Sequence, residues 1–174
     1  MKRLYYIRHG LSEMNVASVF AGRTDTPLTT EGQQEALQEG RANIGIAIDL
    51  IIASPLSRAH DTAKLFAEGA QLPTELIELN ELLLERDFGI LEGSPWSPAN
   101  SQGLDTNQPL PKGVEPWDVL RSRAQQLIDH IQRLPVDNIL LVGHGSIGRA
   151  IRNIIDPKAD IHAHIPNSKL IRWI

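Results

Sequence analysis

The chain has 174 residues, a length that suits one α/β domain over residues 1–174 with a single well-formed core. Its 17 basic and 21 acidic residues give a net charge of −4, which argues against nucleic-acid or membrane-surface binding, and the absence of cysteine excludes disulfides and thiolate metal sites. With no apolar run near the roughly 20 residues of a spanning helix and no room for a signal peptide, we expect a cytoplasmic protein.

Two apolar runs in the first half of the chain are predicted to be strands, Lys2–Ile7 and Asp49–Ala53. A helix is predicted between them over Thr29–Ala42, with a threonine as its N-cap. A second helix is predicted over 54–69, because Ser54-Pro55 offers an N-cap residue followed by proline at the first helical position. This half therefore alternates strand and helix.

The second half of the chain continues the alternation after one irregular stretch. Ser94–Pro116 contains five prolines and is too long for a plain connection, so we expect either a substrate lid or a disordered loop. Apolar residues at a period of 3.6 then predict a helix over 116–134, followed by the strand Asn138–Gly143, a helix over Ser146–Ile155 and a last strand over Lys169–Ile174. The pattern predicts a three-layer α/β sandwich with a mainly parallel central sheet flanked by helices.

Charged residues and histidines follow the predicted strands. Arg8-His9-Gly10 follows the first strand, His144-Gly145 follows the strand at 138–143, and Arg58 lies in the first turn of a helix. Because ligands bind at the carboxyl ends of strands in open α/β sheets, we expect these groups to share one pocket. Two guanidiniums and two imidazoles suit a doubly charged tetrahedral anion such as phosphate, to which helix N-termini at Ser54 and Gly145 could add N–H donors.

The same groups can also perform chemistry on phosphate. Imidazole is a competent nucleophile at neutral pH when a partner fixes its tautomer. Phosphoryl transfer mainly requires positioning and neutralisation of the equatorial oxygens, which arginines and a protonated second histidine can supply without a metal. A carboxylic acid is then needed to protonate the leaving oxygen.

Five motifs in this chain resemble those of the histidine phosphatase superfamily, which includes cofactor-dependent phosphoglycerate mutase. The segment 8–15 (RHGLSEMN) is similar to the family signature R-H-G-x-[ST]-x-x-N. The other four, in chain order and together spanning nearly the whole chain, are Thr26–Gly32, Ser54–Ala63, Leu84–Gly93 and Val142–Gly145. The resemblance implies a phosphoglycerate mutase-like fold.

The resemblance also implies a role for individual residues. His9 would attack phosphorus, His144 would help to hold the phosphoryl oxygens, and Glu85 would protonate the leaving group and later accept a proton from water. The substrate-binding positions would be Arg8, Ser12, Asn15, Gly22, Arg58 and the Gly145 backbone. No metal, nucleotide or other cofactor is implied, and the expected partner is a small phosphorylated metabolite.

Several alternatives stay open at this point. Glu81 is the reserve candidate for the acid. Phosphoglycerate mutase activity is a second function, but the mutases grip a carboxylate with adjacent arginines and a lysine after the acid motif, whereas 94–116 has Lys112 as its one basic residue. A third function is a phospho-ligand-binding regulatory module without turnover.

Two features of the sequence have both a functional and a structural explanation. His162 and His164 could bind a metal, although no third ligand is evident and solvated loop histidines are the simpler interpretation. Trp96 either lines a substrate pocket or only packs. Ala21 stands where family members often carry a serine or threonine, so one hydroxyl of the pocket is missing.

Overall fold

The computed structural model describes residues 2–105 and 109–174, and a five-stranded sheet lies at the centre of the described part. The strands are β1 (Arg3–Arg8), β2 (Leu50–Ala53), β3 (Ile77–Leu79), β4 (Asn138–Gly143) and β5 (Ile171–Arg172). Their order is β3-β2-β4-β1-β5, with β5 antiparallel to β1 and every other pairing parallel. This confirms the predicted mainly parallel sheet.

Helices cover both faces of this sheet. They are α1 (Glu13–Val16), α2 (Thr30–Ala42), α3 (Ser57–Ala70), α4 (Pro98–Gly103), α5 (Trp117–Arg133) and α6 (Gly145–Ile155), with short 3-10 turns at Thr74–Leu76, Glu81–Leu83 and Gly89–Leu91. The apolar faces of α5 and α6 pack on one side of the sheet and α3 packs on the other, which gives the predicted three layers. No helix within the described residues is long and apolar enough to span a bilayer.

Helix α2 lies outside α3, where two glycines allow the backbones to approach closely. A Cβ atom at Gly40 would collide with the Phe66 carbonyl oxygen and lie 2.9 Å from the Cα atom of Gly69. A Cβ at Gly69 would in turn collide with the Leu37 carbonyl oxygen. The tight contact fixes α2 against α3, and the loop before α2 therefore has a defined place beside the C-terminal edge of the sheet.

The start of α3 differs from the prediction. The helix begins at Ser57, its N-cap is Leu56, and no side chain caps it. Ser54 is fully buried below the helix, and its hydroxyl hydrogen-bonds a ring nitrogen of His144 at 2.8 Å. The prediction that Ser54 caps the helix was wrong, because tertiary contact with the histidine uses the hydroxyl that the local pattern assigned to capping.

The proline-rich stretch 94–116 contacts the rest of the domain at several of its described residues, whereas many others are exposed. It contains α4, which is capped by the Ser97 hydroxyl, and the buried Leu104 side chain packs with Phe20 and Phe88. The buried ion pair Arg86–Asp105, at 2.6 Å, joins it to the segment that carries Glu85. Residues 106–108 of the stretch lie outside the described residues, and a lid function stays a prediction.

Candidate active site

A cavity of about 300 Å³ opens at the C-terminal edge of the sheet, where β1 and β4 end side by side. Its polar lining comes from five segments of the chain, and its apolar lining includes Val19, Phe20 and Phe88. The polar groups are Arg8, His9, Asn15, Ser18, Glu85, Ser101, Gly145, Ser146, Arg149, His164 and Asn167. Of the four groups predicted to share one pocket, Arg8 and His9 line the cavity, whereas Arg58 and His144 are fully buried and do not line it.

The imidazole of His9 is held in one orientation. Its Nδ1 lies 2.7 Å from the Gly10 carbonyl oxygen, to which only an N–H can donate, so Nε2 is the nitrogen that carries the lone pair. Burial, Arg58 and Arg8 lower the pKa of His9 well below its usual range, against a smaller opposing effect of the Gly10 hydrogen bond. His9 is therefore neutral at physiological pH, with Nε2 available as a nucleophile.

His144 packs against His9, with the ring centroids 5.1 Å apart. Its Nε2 hydrogen-bonds the Ser54 hydroxyl at 2.8 Å, whereas the buried Nδ1 has no partner among the described residues. Burial, Arg58 and the nearby His9 lower the pKa of His144 well below its usual range, which favours the neutral ring, and protonation of this histidine during phosphoryl transfer stays a prediction. A neutral ring that accepts the Ser54 proton at Nε2 still carries a donor at Nδ1.

Arg8 and Arg58 each keep one buried N–H donor unused. Arg8 donates from Nη1 to the Ile165 carbonyl oxygen at 3.0 Å, and its buried Nε has no partner within the described ranges. Arg58 donates to the carbonyl oxygens of Ala21, Gly22 and Thr24, and its Nε is likewise unpartnered in the described part of the chain. Since an unsatisfied buried donor costs free energy, both Nε atoms are suited to a bound oxyanion.

Gly22 lies in a loop held from two sides, not in the cavity wall. Arg58 binds the carbonyl oxygens of this loop, while the Glu92 carboxylate accepts the N–H groups of Gly22, Arg23 and Thr24. Although burial alone would raise the pKa of Glu92, these hydrogen bonds lower it. The prediction that Gly22 contacts the substrate is therefore corrected, because its N–H already donates to Glu92. Glycine is required at this position because a Cβ atom would collide with the Arg86 carbonyl oxygen.

Ser12 and Asn15 form a capping box at the start of α1. The Ser12 hydroxyl accepts the Asn15 N–H at 3.3 Å, and the Asn15 side-chain oxygen accepts the Ser12 N–H at 3.1 Å. Ser12 is fully buried and does not line the cavity, so its predicted substrate contact is also corrected. Asn15 does line the cavity, and because its oxygen is bound in the cap, the amide NH₂ group remains to donate to a ligand.

Glu85 enters the cavity from the turn before Arg86 and is held by the start of α6. Its Oε1 accepts the N–H groups of Arg86, Ser146 and Ile147 at 2.8 to 3.1 Å, whereas Oε2 accepts only the Ser146 N–H, at 3.0 Å. Oε2 is thus the oxygen with room to exchange a proton. Glu81, the reserve candidate, is exposed on a 3-10 turn and does not line the cavity.

The helix N-termini predicted to bind phosphate are occupied by carboxylates. The Ser57 N–H at the start of α3 donates to Asp25 at 2.9 Å, and the Ser146 and Ile147 N–H groups at the start of α6 donate to Glu85. Asp25 was not predicted. The phosphate donors that the structure offers are therefore side chains, with the Gly145 backbone lining the cavity between Arg8 and Glu85.

Sequence reasoning also missed Arg149 and Asn167, and it left His164 as a loop histidine. Arg149 lies one helical turn after Gly145 and lines the same cavity, a position that the spacing i, i+4 could have indicated. Asn167 donates from its side chain to the His9 carbonyl oxygen at 2.7 Å.

His164 and Trp96 line the cavity, while His162 faces Asp105 at 3.6 Å. The described residues contain no group of three side chains placed to hold a metal ion.

Both buried histidines make the free energy of unfolding depend on pH. Their native pKa values lie below the value near 6.5 of an unfolded histidine, so below about pH 6.5 the unfolded chain binds more protons than the native one. We expect stability to fall as the pH is lowered from about 7.5 to about 5.5, by at most about 1.4 kcal/mol per pH unit for each histidine. Urea denaturation at fixed pH values measures this loss.

A substitution at either site should flatten that dependence. His144→Gln removes one titrating group, so its stability should change less over the same pH interval than that of the wild type. His130→Gln, on α5 away from the cavity, is the matched control and should keep most of the slope. Equal slopes for all three proteins would contradict the assignment of neutral buried imidazoles.

Comparison with known proteins finds relatives over nearly the whole chain. The model of the histidine phosphatase superfamily, branch 1, matches residues 4–167. The adenosylcobalamin/alpha-ribazole phosphatase of Escherichia coli K12 is 29% identical over 172 residues, covering 93% of this chain and 83% of that protein. A 2,3-bisphosphoglycerate-dependent phosphoglycerate mutase of Parvibaculum lavamentivorans is 42% identical over 165 residues, covering 85% and 77%.

A solved structure supports the fold. The mycobacterial glucosyl-3-phosphoglycerate phosphatase in complex with VO₃ superposes with a TM-score of 0.83 at 22% identity, covering 99% of this chain and 92% of that one. At this identity the likeness concerns the fold, and it agrees with the predicted phosphoglycerate mutase-like architecture. The relatives by sequence are phosphatases and phosphoglycerate mutase-like enzymes.

Proposed function

Because this chain belongs to the histidine phosphatase superfamily, branch 1, we propose that it hydrolyses small phosphomonoesters through a phosphohistidine at His9, without a metal. One observation carries the proposal: the hydrogen bond from Nδ1 to the Gly10 carbonyl oxygen leaves Nε2 as an unprotonated nucleophile in the cavity wall. The unpartnered Nε donors of Arg8 and Arg58 supply the positive charge that the phosphoryl oxygens need.

The first half-reaction transfers the phosphoryl group to His9. The Nε2 lone pair attacks phosphorus, a P–N bond forms, and the P–O bond to the leaving alcohol breaks. Arg8, Arg58 and the Nδ1 donor of His144 hold the phosphoryl oxygens, and Asn15 can add its amide. Glu85 in its acid form gives a proton from Oε2 to the leaving oxygen, so the alcohol departs neutral.

The second half-reaction returns the enzyme to its starting state. Glu85 is now a carboxylate, and its Oε2 takes a proton from a water molecule that attacks phosphorus from the side the alcohol has left. The P–N bond breaks, inorganic phosphate forms, and the electron pair returns to Nε2 of His9. The backbone N–H groups on Oε1 keep the carboxylate in place through both steps.

The test is turnover of p-nitrophenyl phosphate by the wild-type protein in excess EDTA. We expect release of p-nitrophenolate and inorganic phosphate at the same rate with and without chelator, because the cavity arginines carry the charge neutralisation. Turnover that EDTA abolishes and added metal restores would contradict the proposal. Binding of labelled phosphate without any turnover would instead support a regulatory module.

Phosphoglycerate mutase activity is the second candidate, because the relative that is 42% identical bears that name. The segment 94–116 lacks the adjacent arginines expected of the mutases, and its Lys112 is exposed. In a coupled assay primed with 2,3-bisphosphoglycerate, we expect release of phosphate to exceed interconversion of 2- and 3-phosphoglycerate. The reverse order would favour the mutase.

A further inference from the structure

Arg149 is a charged side chain in the cavity that the proposed reaction does not use. It follows Gly145 by four residues on α6, so the two residues lie on one helix face. Its Nη2 donates to the Ser146 hydroxyl at 3.2 Å, while its buried Nε has no partner in the described ranges. A buried N–H group without an acceptor costs free energy, and a ligand in the cavity can supply that acceptor.

His164 lines the cavity beside Arg149, at the junction with a second cavity of about 180 Å³. The two cavities share Trp96, Ser101, Arg149 and His164. His164, Arg8 and Arg149 line the same cavity, and burial together with the two guanidiniums lowers the pKa of His164. The junction therefore gathers donors and positive charge about one helical turn away from the phosphoryl position.

The charged lining residues leave one guanidinium available for a second anionic group. Arg8 and Arg149 face the space, and Glu85 is the single carboxylate among the described lining residues. That carboxylate is already satisfied at Oε1 by backbone N–H groups. The Nε donor of Arg149 has no acceptor among the described residues, and the cavity of about 300 Å³ is at the small end of the range for metabolite sites.

We propose that Arg149 and His164 form a second anion subsite, so that the substrate is a small phosphomonoester whose leaving group carries a further carboxylate or phosphate. This inference rests on the proposed phosphatase reaction, because it defines which esters that reaction prefers.

The test uses four phosphate esters whose primary leaving alcohols share a three-carbon chain and differ in the group at its far end. They are 3-phosphonooxypropanoate, propane-1,3-diyl bisphosphate, propyl phosphate and 3-aminopropyl phosphate. We expect kcat/KM to be at least about 10-fold higher for the first two than for propyl phosphate, and lowest for the cationic ester, as charge-assisted hydrogen bonds to Arg149 imply. The order of the first two distinguishes a carboxylate from a phosphate as the second group.

Arg149→Gln is the decisive variant, and Arg152→Gln, an exposed arginine of the same helix outside the cavity, is its matched control. Arg149→Gln should lower kcat/KM for the two doubly anionic esters about 10- to 100-fold and leave propyl phosphate nearly unchanged. Arg152→Gln should change none of the four. Equal losses on all esters would overturn the subsite, because they would mean that Arg149 acts through Ser146 on Glu85.

A failure of the proposed phosphatase function can be distinguished from a failure of the proposed subsite. If no ester is hydrolysed by the wild-type protein, the phosphatase proposal is wrong, and the subsite is then judged by calorimetric binding. Tighter binding of 3-phosphonooxypropanoate than of propyl phosphate, lost in Arg149→Gln, would still support it. Equal binding of the two esters would overturn it.

Discussion

Replacing His9 by alanine is expected to lower kcat for p-nitrophenyl phosphate on the order of 10⁴-fold or more, the scale seen when an enzyme loses its nucleophile. The geometry explains the size of the effect. The Gly10 carbonyl oxygen fixes the proton on Nδ1, and burial together with Arg58 and Arg8 lowers the pKa of His9, so Nε2 is unprotonated. His164 also lines the cavity, but His9 is the lining histidine whose Nδ1 is held by a backbone carbonyl oxygen, so its Nε2 is the nitrogen with a fixed lone pair.

The control for this variant is His144→Ala. His144 supplies a donor from behind the wall, and loss of one preorganised donor should cost about 10²- to 10³-fold in kcat. After acid-free quenching, label from a ³²P-phosphomonoester should be found on the wild type and on His144→Ala, and be absent from His9→Ala. A His9→Ala protein that turns over within about tenfold of the wild type, or label on another residue, would refute the phosphohistidine.

Some of the fold could be predicted from the sequence because buried strands and helices leave a recognisable pattern of apolar residues along the chain. β1, β2 and β4 are continuous apolar runs buried on both faces, and the residues of α5 repeat at a helical period. β3 was missed because it has three residues at the sheet edge, and Leu79 is 51% exposed. α1 was missed because a capping box, not an apolar stripe, holds its four residues.

For the site, too, the sequence predicted what local motifs determine and missed what depends on tertiary contacts. Arg8, His9 and Glu85 reach the cavity because strand ends and one turn place them there, which the motifs encode. Ser12 and Gly22 belong to the same motifs, yet their polar groups are used by α1 and by Glu92. The use of a hydrogen-bonding group by a neighbour distant in sequence cannot be deduced from the motif that contains it.

Glu85→Gln is expected to separate the two half-reactions. Glutamine can keep an oxygen on the backbone N–H groups that hold Oε1, but it can neither give nor take a proton at the position of Oε2. For alkyl phosphates the loss of the acid should lower kcat about 10²- to 10⁴-fold. For p-nitrophenyl phosphate the leaving group needs no proton, so phosphorylation of His9 should stay fast while hydrolysis of the phosphoenzyme becomes slow.

Stopped-flow kinetics tests this difference directly. Glu85→Gln should release about one equivalent of p-nitrophenolate per active site in a burst, followed by slow turnover, because the covalent intermediate forms faster than it breaks down and phosphohistidine accumulates. Glu81→Gln is the matched control, because Glu81 is an exposed carboxylate on the preceding 3-10 turn that does not line the cavity, and it should behave like the wild type. Equal slowing of alkyl and nitrophenyl esters in Glu85→Gln, with no burst, would remove Glu85 from both proton transfers. A group that acts on the leaving oxygen must discriminate between alcohols that need a proton and those that do not.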